Sequence, residues 1–154
     1  MLETGSHIPD IDVLDQDGNK VNLTSFRGKM IVLYAYPKDN TSGCTTEACS
    51  MRDNYQPITQ DDTLLFGISC DPPSSHLKFI ENNRLNFPLL SDSDHHLLEA
   101  LGAWGEKSMY GRKYFGVIRS TFVFDREGIL IKVWPKVKVK THGEDVAAFL
   151  QTLS

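Results

Sequence analysis

Seven consecutive residues, MIVLYAY at positions 30 to 36, carry no charge and include two β-branched and two aromatic side chains before Pro37 closes the run. A strand that alternates polar and apolar residues can face water on one side; a continuous apolar run has to be covered on both. The chain must therefore build layers on each side of a central sheet. A second run of the same kind, TLLFGISC at 63 to 70, repeats the demand.

The remaining segments supply those layers. PPSSHLKFIENN opens with prolines and serines that suit a first helical turn, and DSDHHLLEALG runs from Asp and Ser to Gly102, the polarity of a short capped helix. THGEDVAAFLQTLS has Thr141 and Glu144 at capping-box spacing and Val146, Phe149, Leu150 and Leu153 on one stripe. DIDVLDQDGNKVNL reads as two short strands around Asp17-Gly18, and STFVFDREGILIKVWP as strand, turn at Asp125 to Gly128, and strand. The order predicts an α/β fold: a central mixed sheet flanked by helices, on the thioredoxin-like plan with an added N-terminal β-hairpin and an inserted helix. At 154 residues it fits a single domain spanning 1–154.

Charge narrows the partners. Sixteen Lys and Arg stand against twenty Asp and Glu, a net charge of −4, and no basic block tracks a phosphate backbone, which argues against nucleic acid and anionic membrane. The N-terminal MLETGSHIPDIDVLDQDGNK lacks the basic and apolar regions of a signal peptide, and no apolar run approaches the roughly 20 residues of a membrane span, so a cytoplasmic location is expected. Three cysteines are too few, and odd in number, for a disulfide-stapled secreted scaffold.

Two of them lie in YPKDNTSGCTTEACSMRD, directly after the first apolar strand and so at the sheet edge where open α/β folds carry their sites. With a helix beginning near residues 41 to 43, Cys44 falls in the first turn, where unpaired N–H groups and the helix dipole favour a thiolate. Thr41 is close enough to share a pocket with the sulfur, and Pro37 gives that pocket a rigid apolar wall. Cys49 is about 140° further round the same helix, with the two Cα atoms roughly 8 to 9 Å apart and beyond the ~7 Å reach of a disulfide. Either it fills space, or the helix unwinds to let the sulfurs meet.

Pro37, Thr41 and Cys44 form a P-x-x-x-T-x-x-C pattern that resembles the peroxiredoxins, and the second cysteine five residues on is similar to their PrxQ, or bacterioferritin comigratory protein, subgroup. LGAWGEKSMYGRKYFGVIRSTFVFD, the F-R-G-K entry to the strand, and the GIS strand end match as well, so the likeness covers essentially the full chain. It implies a thiol peroxidase without cofactor or metal. Cys44 would be the peroxidatic nucleophile, Cys49 the resolving thiol, Thr41 and Arg119 the groups that activate a hydroperoxide, and Pro37 the shield. Glu47 would orient Arg119, thioredoxin or a similar dithiol protein would be the reductant, and the chain would act as a monomer. Cys70 stands where the family often has proline, and Ser42 where a proline is frequent.

Competing classes fit less well. A protein disulfide oxidoreductase of this fold carries C-x-x-C, whereas the spacing here is C-x-x-x-x-C. A copper-binding module needs converging ligands that an intact helix separates. Cys70, at the end of an apolar strand, reads as an inert core thiol. His95 and His96 read as a solvated helix face, His142 as a helix-start residue, and Trp104 with Tyr110, Tyr114 and Phe115 as a packed flank.

Overall fold

The computed structural model describes residues 1–153. The long apolar run forms strand β3 (Ile31–Ala35), buried at every position, and the second forms β4 (Leu64–Ser69). They pair in parallel, as β4 does with β5 (Leu89–Ser91), while β8 (Ser120–Phe124) lies antiparallel on the other side of β3. With β1 (Asp12–Leu14), β2 (Lys20–Asn22) and β9 (Leu130–Trp134) the sheet has seven strands in the order β2-β1-β5-β4-β3-β8-β9. This is the expected mixed sheet with its N-terminal hairpin. Gly18, at φ 79°, supplies the left-handed turn residue between β1 and β2.

Alternation along β3 divides the core. Ile31, Leu33 and Ala35 face one side with Phe66, Ile68, Phe122 and Leu98; Val32, Tyr34 and Tyr36 face the other with Met51, Phe79, Val123 and Val146. The second side is covered by α1 (Ser42–Asp53), α3 (Pro73–Asn83) and α5 (His142–Gln151), with the short α2 (Tyr55–Ile58) against α5. Helix α4 (His96–Ala100) packs Leu97 and Leu98 on the first side.

Several local expectations are corrected. The Thr141–Glu144 capping box does not form: Thr141 makes no cap bond, and its hydroxyl turns to Asp145 at 3.3 Å. Leu153 lies beyond the end of α5 and is 47% exposed, so it leaves the apolar stripe. Helix α4 is entered through His95 at φ 50°, and Asp92, from before that residue, caps its first turn by accepting from the Leu98 N–H at 2.8 Å, as expected of a capped helix.

His95 is not on a freely solvated face. Its ring stacks on Trp104 at 4.0 Å and 3°, with Nδ1 3.2 Å from Glu99 but without hydrogen-bond alignment; His96 is exposed as expected. Of the expected aromatic flank only Trp104 packs, and Tyr110, Tyr114 and Phe115 are exposed. The flank is a separate hairpin, β6 (Trp104–Met109) and β7 (Arg112–Val117), turned at Tyr110-Gly111, on which Tyr110 is 99% and Phe115 66% exposed.

Candidate active site

The segment after β3 rises through Pro37 to Asn40 and enters α1 at Thr41, whose backbone is extended at φ −84° and ψ 155° and whose carbonyl accepts the first helical bond from Thr45. Thr41 is thus at the N-cap position but not a side-chain cap. Its hydroxyl donates back to the Lys38 carbonyl at 2.8 Å, which braces the loop. Cys44 is the third helical residue, 1% exposed, inside the first turn where backbone N–H groups lack intrahelical partners.

The sulfur meets a cation from far along the chain. Arg119 sits between β7 and β8, and because β8 runs antiparallel to β3, with Ser120 opposite Ala35, its side chain enters at the edge where β3 ends. Its Nη2 donates to Cys44 Sγ at 3.2 Å and its Nη1 to Glu47 Oε1 at 2.5 Å. The guanidinium lies against the start of α1: a Cβ on Gly43 would stand in ordinary contact with Nη2, at 3.4 Å. Burial alone would weaken the charge on Arg119, but Glu47 and Cys44 outweigh it and raise its pKa further.

Glu47 is one turn beyond Cys44 and has no exposed surface. Burial pushes its carboxyl up to about 7, against the pull of Arg119. Its Oε2 and the hydroxyl of Tyr34, both buried, have no partner among the described residues.

Cys49 is half-buried on the same unbroken helix and free, as is Cys44. It borders an open cleft of about 380 Å³ that Thr45, Thr46, Ser50, Lys140 and Glu144 also line. Cys70 is half-buried against the opposite core; burial, with Asp92 and Asp71 adding to it, pushes its thiol up to about 11, which makes it a poor nucleophile near neutrality. Pro37 is half-buried at the start of the loop.

A first-turn cysteine held by an arginine that is itself held by a buried glutamate is a thiol-activating arrangement, and comparison with known proteins gives it a family. The AhpC/TSA family profile matches residues 4–133. The chain belongs to that family. It is 47% identical over 152 residues to Peroxiredoxin Bcp of Bacillus subtilis, covering 99% of this chain and 95% of that one, and 41% identical over 150 residues to Peroxiredoxin Bcp of Escherichia coli, covering 97% and 96%. It superposes with TM-score 0.90 on the Xanthomonas campestris bacterioferritin comigratory protein, a structure described for its alkyl peroxide reduction activity, at 33% identity over 98% of this chain and 99% of that one. This chain is therefore a peroxiredoxin of the Bcp and PrxQ kind, a thiol-dependent peroxidase on a thioredoxin-like fold.

The peroxiredoxin also carries buried polar residues that sequence reasoning missed. Asp39, in the loop between Pro37 and Thr41, accepts from Tyr36 Oη at 2.6 Å and Ser75 Oγ at 2.8 Å, and lies 2.8 Å from His76 Nδ1; its own N–H donates to Asp71 at 2.9 Å. His76 is fully buried, and its Nε2 donates to the Leu90 carbonyl at 2.9 Å. Burial by itself would raise the Asp39 carboxyl, but the bonds from His76 and Tyr36 win and hold it below its ordinary range.

Asp39, Asp71 and His76 bring donor atoms within 4.8 Å of one another, the one such metal-ligand grouping among the described residues. Every one of those side chains is already engaged in hydrogen bonds, so the cluster is complete as a clamp on the loop. The available signal was positional. Tyr34 and Tyr36 alternate onto the α1 face of β3, and a buried tyrosine hydroxyl needs a partner. His142, read as an ordinary helix-start residue, is in fact 1% exposed; its Nε2 is 2.7 Å from the Thr121 hydroxyl and its ring meets Trp134 edge-on.

Proposed function

We propose that Cys44 is the peroxidatic residue of a hydroperoxide reductase acting on hydrogen peroxide and organic hydroperoxides. The Cys44 thiolate attacks one oxygen of the O–O bond; that bond breaks, the other oxygen leaves as water or an alcohol after gaining a proton, and Cys44 becomes a sulfenic acid. Negative charge develops on the departing oxygen, and Arg119, already 3.2 Å from the sulfur, is the fixed donor that stabilises it. Thr41, whose hydroxyl proton is committed to Lys38, offers oxygen lone pairs to the peroxide proton, and Pro37 screens the pocket from water. Cys49 then attacks the sulfenic sulfur, forming the Cys44–Cys49 disulfide and releasing water. A dithiol protein of the thioredoxin type returns both to thiols. The chain works as one domain over 1–154, as a monomer, in the cytoplasm.

The observation that carries this reading is the two-handed grip of Arg119, one nitrogen on Cys44 and the other on Glu47. The test follows NADPH oxidation in a thioredoxin-coupled assay with hydrogen peroxide and a series of alkyl hydroperoxides. Cys44→Ser should abolish peroxide reduction. Cys49→Ser should allow one rapid oxidation and block thioredoxin-linked turnover. Peroxide consumption by Cys44→Ser at the parent rate would refute the assignment.

A further inference from the structure

The first turn of α5 is not capped by the residues that lead into it. Thr141 gives no side-chain cap, and the Gly143 N–H instead donates 2.9 Å to the hydroxyl of Ser50, on α1, next to Cys49. Ser50 holds more than that one bond. Its carbonyl accepts from the Asn54 N–H at 3.2 Å and from Asn54 Nδ2 at 2.9 Å, and the two helices touch so closely here that a Cβ on residue 143 would run into that carbonyl. The glycine and the serine hydroxyl form one built contact, buried on both sides.

This contact lies on the segment that disulfide closure has to disturb. Bringing residues 44 and 49 within disulfide reach takes residues 45 to 48 out of the helix, and their carbonyls are the acceptors for the N–H groups of residues 49 to 52. The turn carrying Ser50 goes with them. We propose that Ser50 is a positioning residue for the resolving step: its bond to Gly143 latches α1 to α5 in the reduced enzyme, sets how readily the sulfenic acid at Cys44 meets Cys49, and on disulfide formation leaves α5 uncapped. The inference rests on Cys44 and Cys49 being the peroxidatic and resolving pair.

Removing the hydroxyl by Ser50→Ala leaves helix and volume nearly intact and takes one hydrogen bond from the closed state alone. Stopped-flow and mass measurements after one equivalent of hydrogen peroxide should show disulfide closure roughly three- to tenfold faster in the variant, the effect of about 1 kcal/mol. Sulfenic acid formation should proceed at the parent rate. With closure faster, Cys44 should also drift less toward sulfinic acid under excess peroxide.

Hydrogen exchange over residues 142 to 146 supplies the second readout. It should quicken when the parent forms its disulfide, and stay at the reduced level in Cys49→Ser oxidised only to the sulfenic acid. Equal closure rates in Ser50→Ala and parent, or exchange over 142 to 146 that ignores the disulfide, would overturn the latch. Absence of any Cys44–Cys49 disulfide in the oxidised parent would instead overturn the assignment of the pair, a separate result.

Discussion

Glu47 has to choose between water it cannot reach and a cation it can. With its carboxyl raised to about 7 in the folded protein from an ordinary 4.5, the native state binds more protons than the unfolded chain between those values, so this group's contribution to stability falls as pH rises through that window. Glu47→Gln removes the titration. Denaturant midpoints of parent and variant compared from pH 4.5 to 8 should show the parent losing ground as pH rises, and a constant difference would exclude the shift. At Arg119, lysine keeps the charge but loses the planar fork that reaches Cys44 and Glu47 at once. Arg119→Lys should slow sulfenic acid formation roughly 10- to 100-fold, or about 1.4 to 2.8 kcal/mol, with overall charge unchanged; a parent-like rate would make the residue a bystander. Cys44, Thr41 and Pro37 were legible in the sequence as a spaced motif, and Arg119, 75 residues on, only through the family likeness of the block that carries it. Asp39 and His76 were not, since a lone Asp in a loop and a lone His in a helix acquire meaning only when β4, α3 and the loop are brought together.

At the scale of elements, α1 is the part under tension between its two roles. It holds Cys44 rigid for the first step, yet as an unbroken helix it keeps Cys49 out of reach. Oxidation should therefore melt turns between residues 44 and 53, read as a rise in amide exchange that reduction reverses; unchanged protection alongside a proven Cys44–Cys49 bond would mean the segment need not unwind. The helix and its start were readable from the loop residues and Cys44 spacing, whereas the β6–β7 hairpin was not. Its residues do not alternate cleanly, it is covered only at its base, where Trp104 pairs with Val117, and its turn uses Tyr110 at φ 52° ahead of Gly111, in place of the usual Asn-Gly or Asp-Gly signal. Strand β5 escaped for another reason: three residues after Pro88 are too short a run to show a period.

Over the whole molecule, two buried groups pull stability in opposite directions. His142 is lowered to about 4, chiefly by burial, so the unfolded chain binds more protons between that value and the ordinary 6.5, and stability drops as pH falls through this range. Its cost on acidification is opposite in sign to what Glu47 returns over the same mildly acidic interval, and of similar size. His142→Asn should therefore become relatively more stable than the parent as pH is lowered from 6.5 to 4, the reverse of the Glu47→Gln slope, and parallel curves would refute the assignment. The sheet order, read in time rather than in space, has a last consequence. Cys44 and its helix leave the ribosome early, but the guanidinium that grips it arrives 75 residues later and reaches the site only when β8 docks antiparallel on β3. A nascent chain ending before Arg119 carries the nucleophile without the cation that holds it, so peroxide sensitivity should be acquired abruptly, late in synthesis, as the sheet closes.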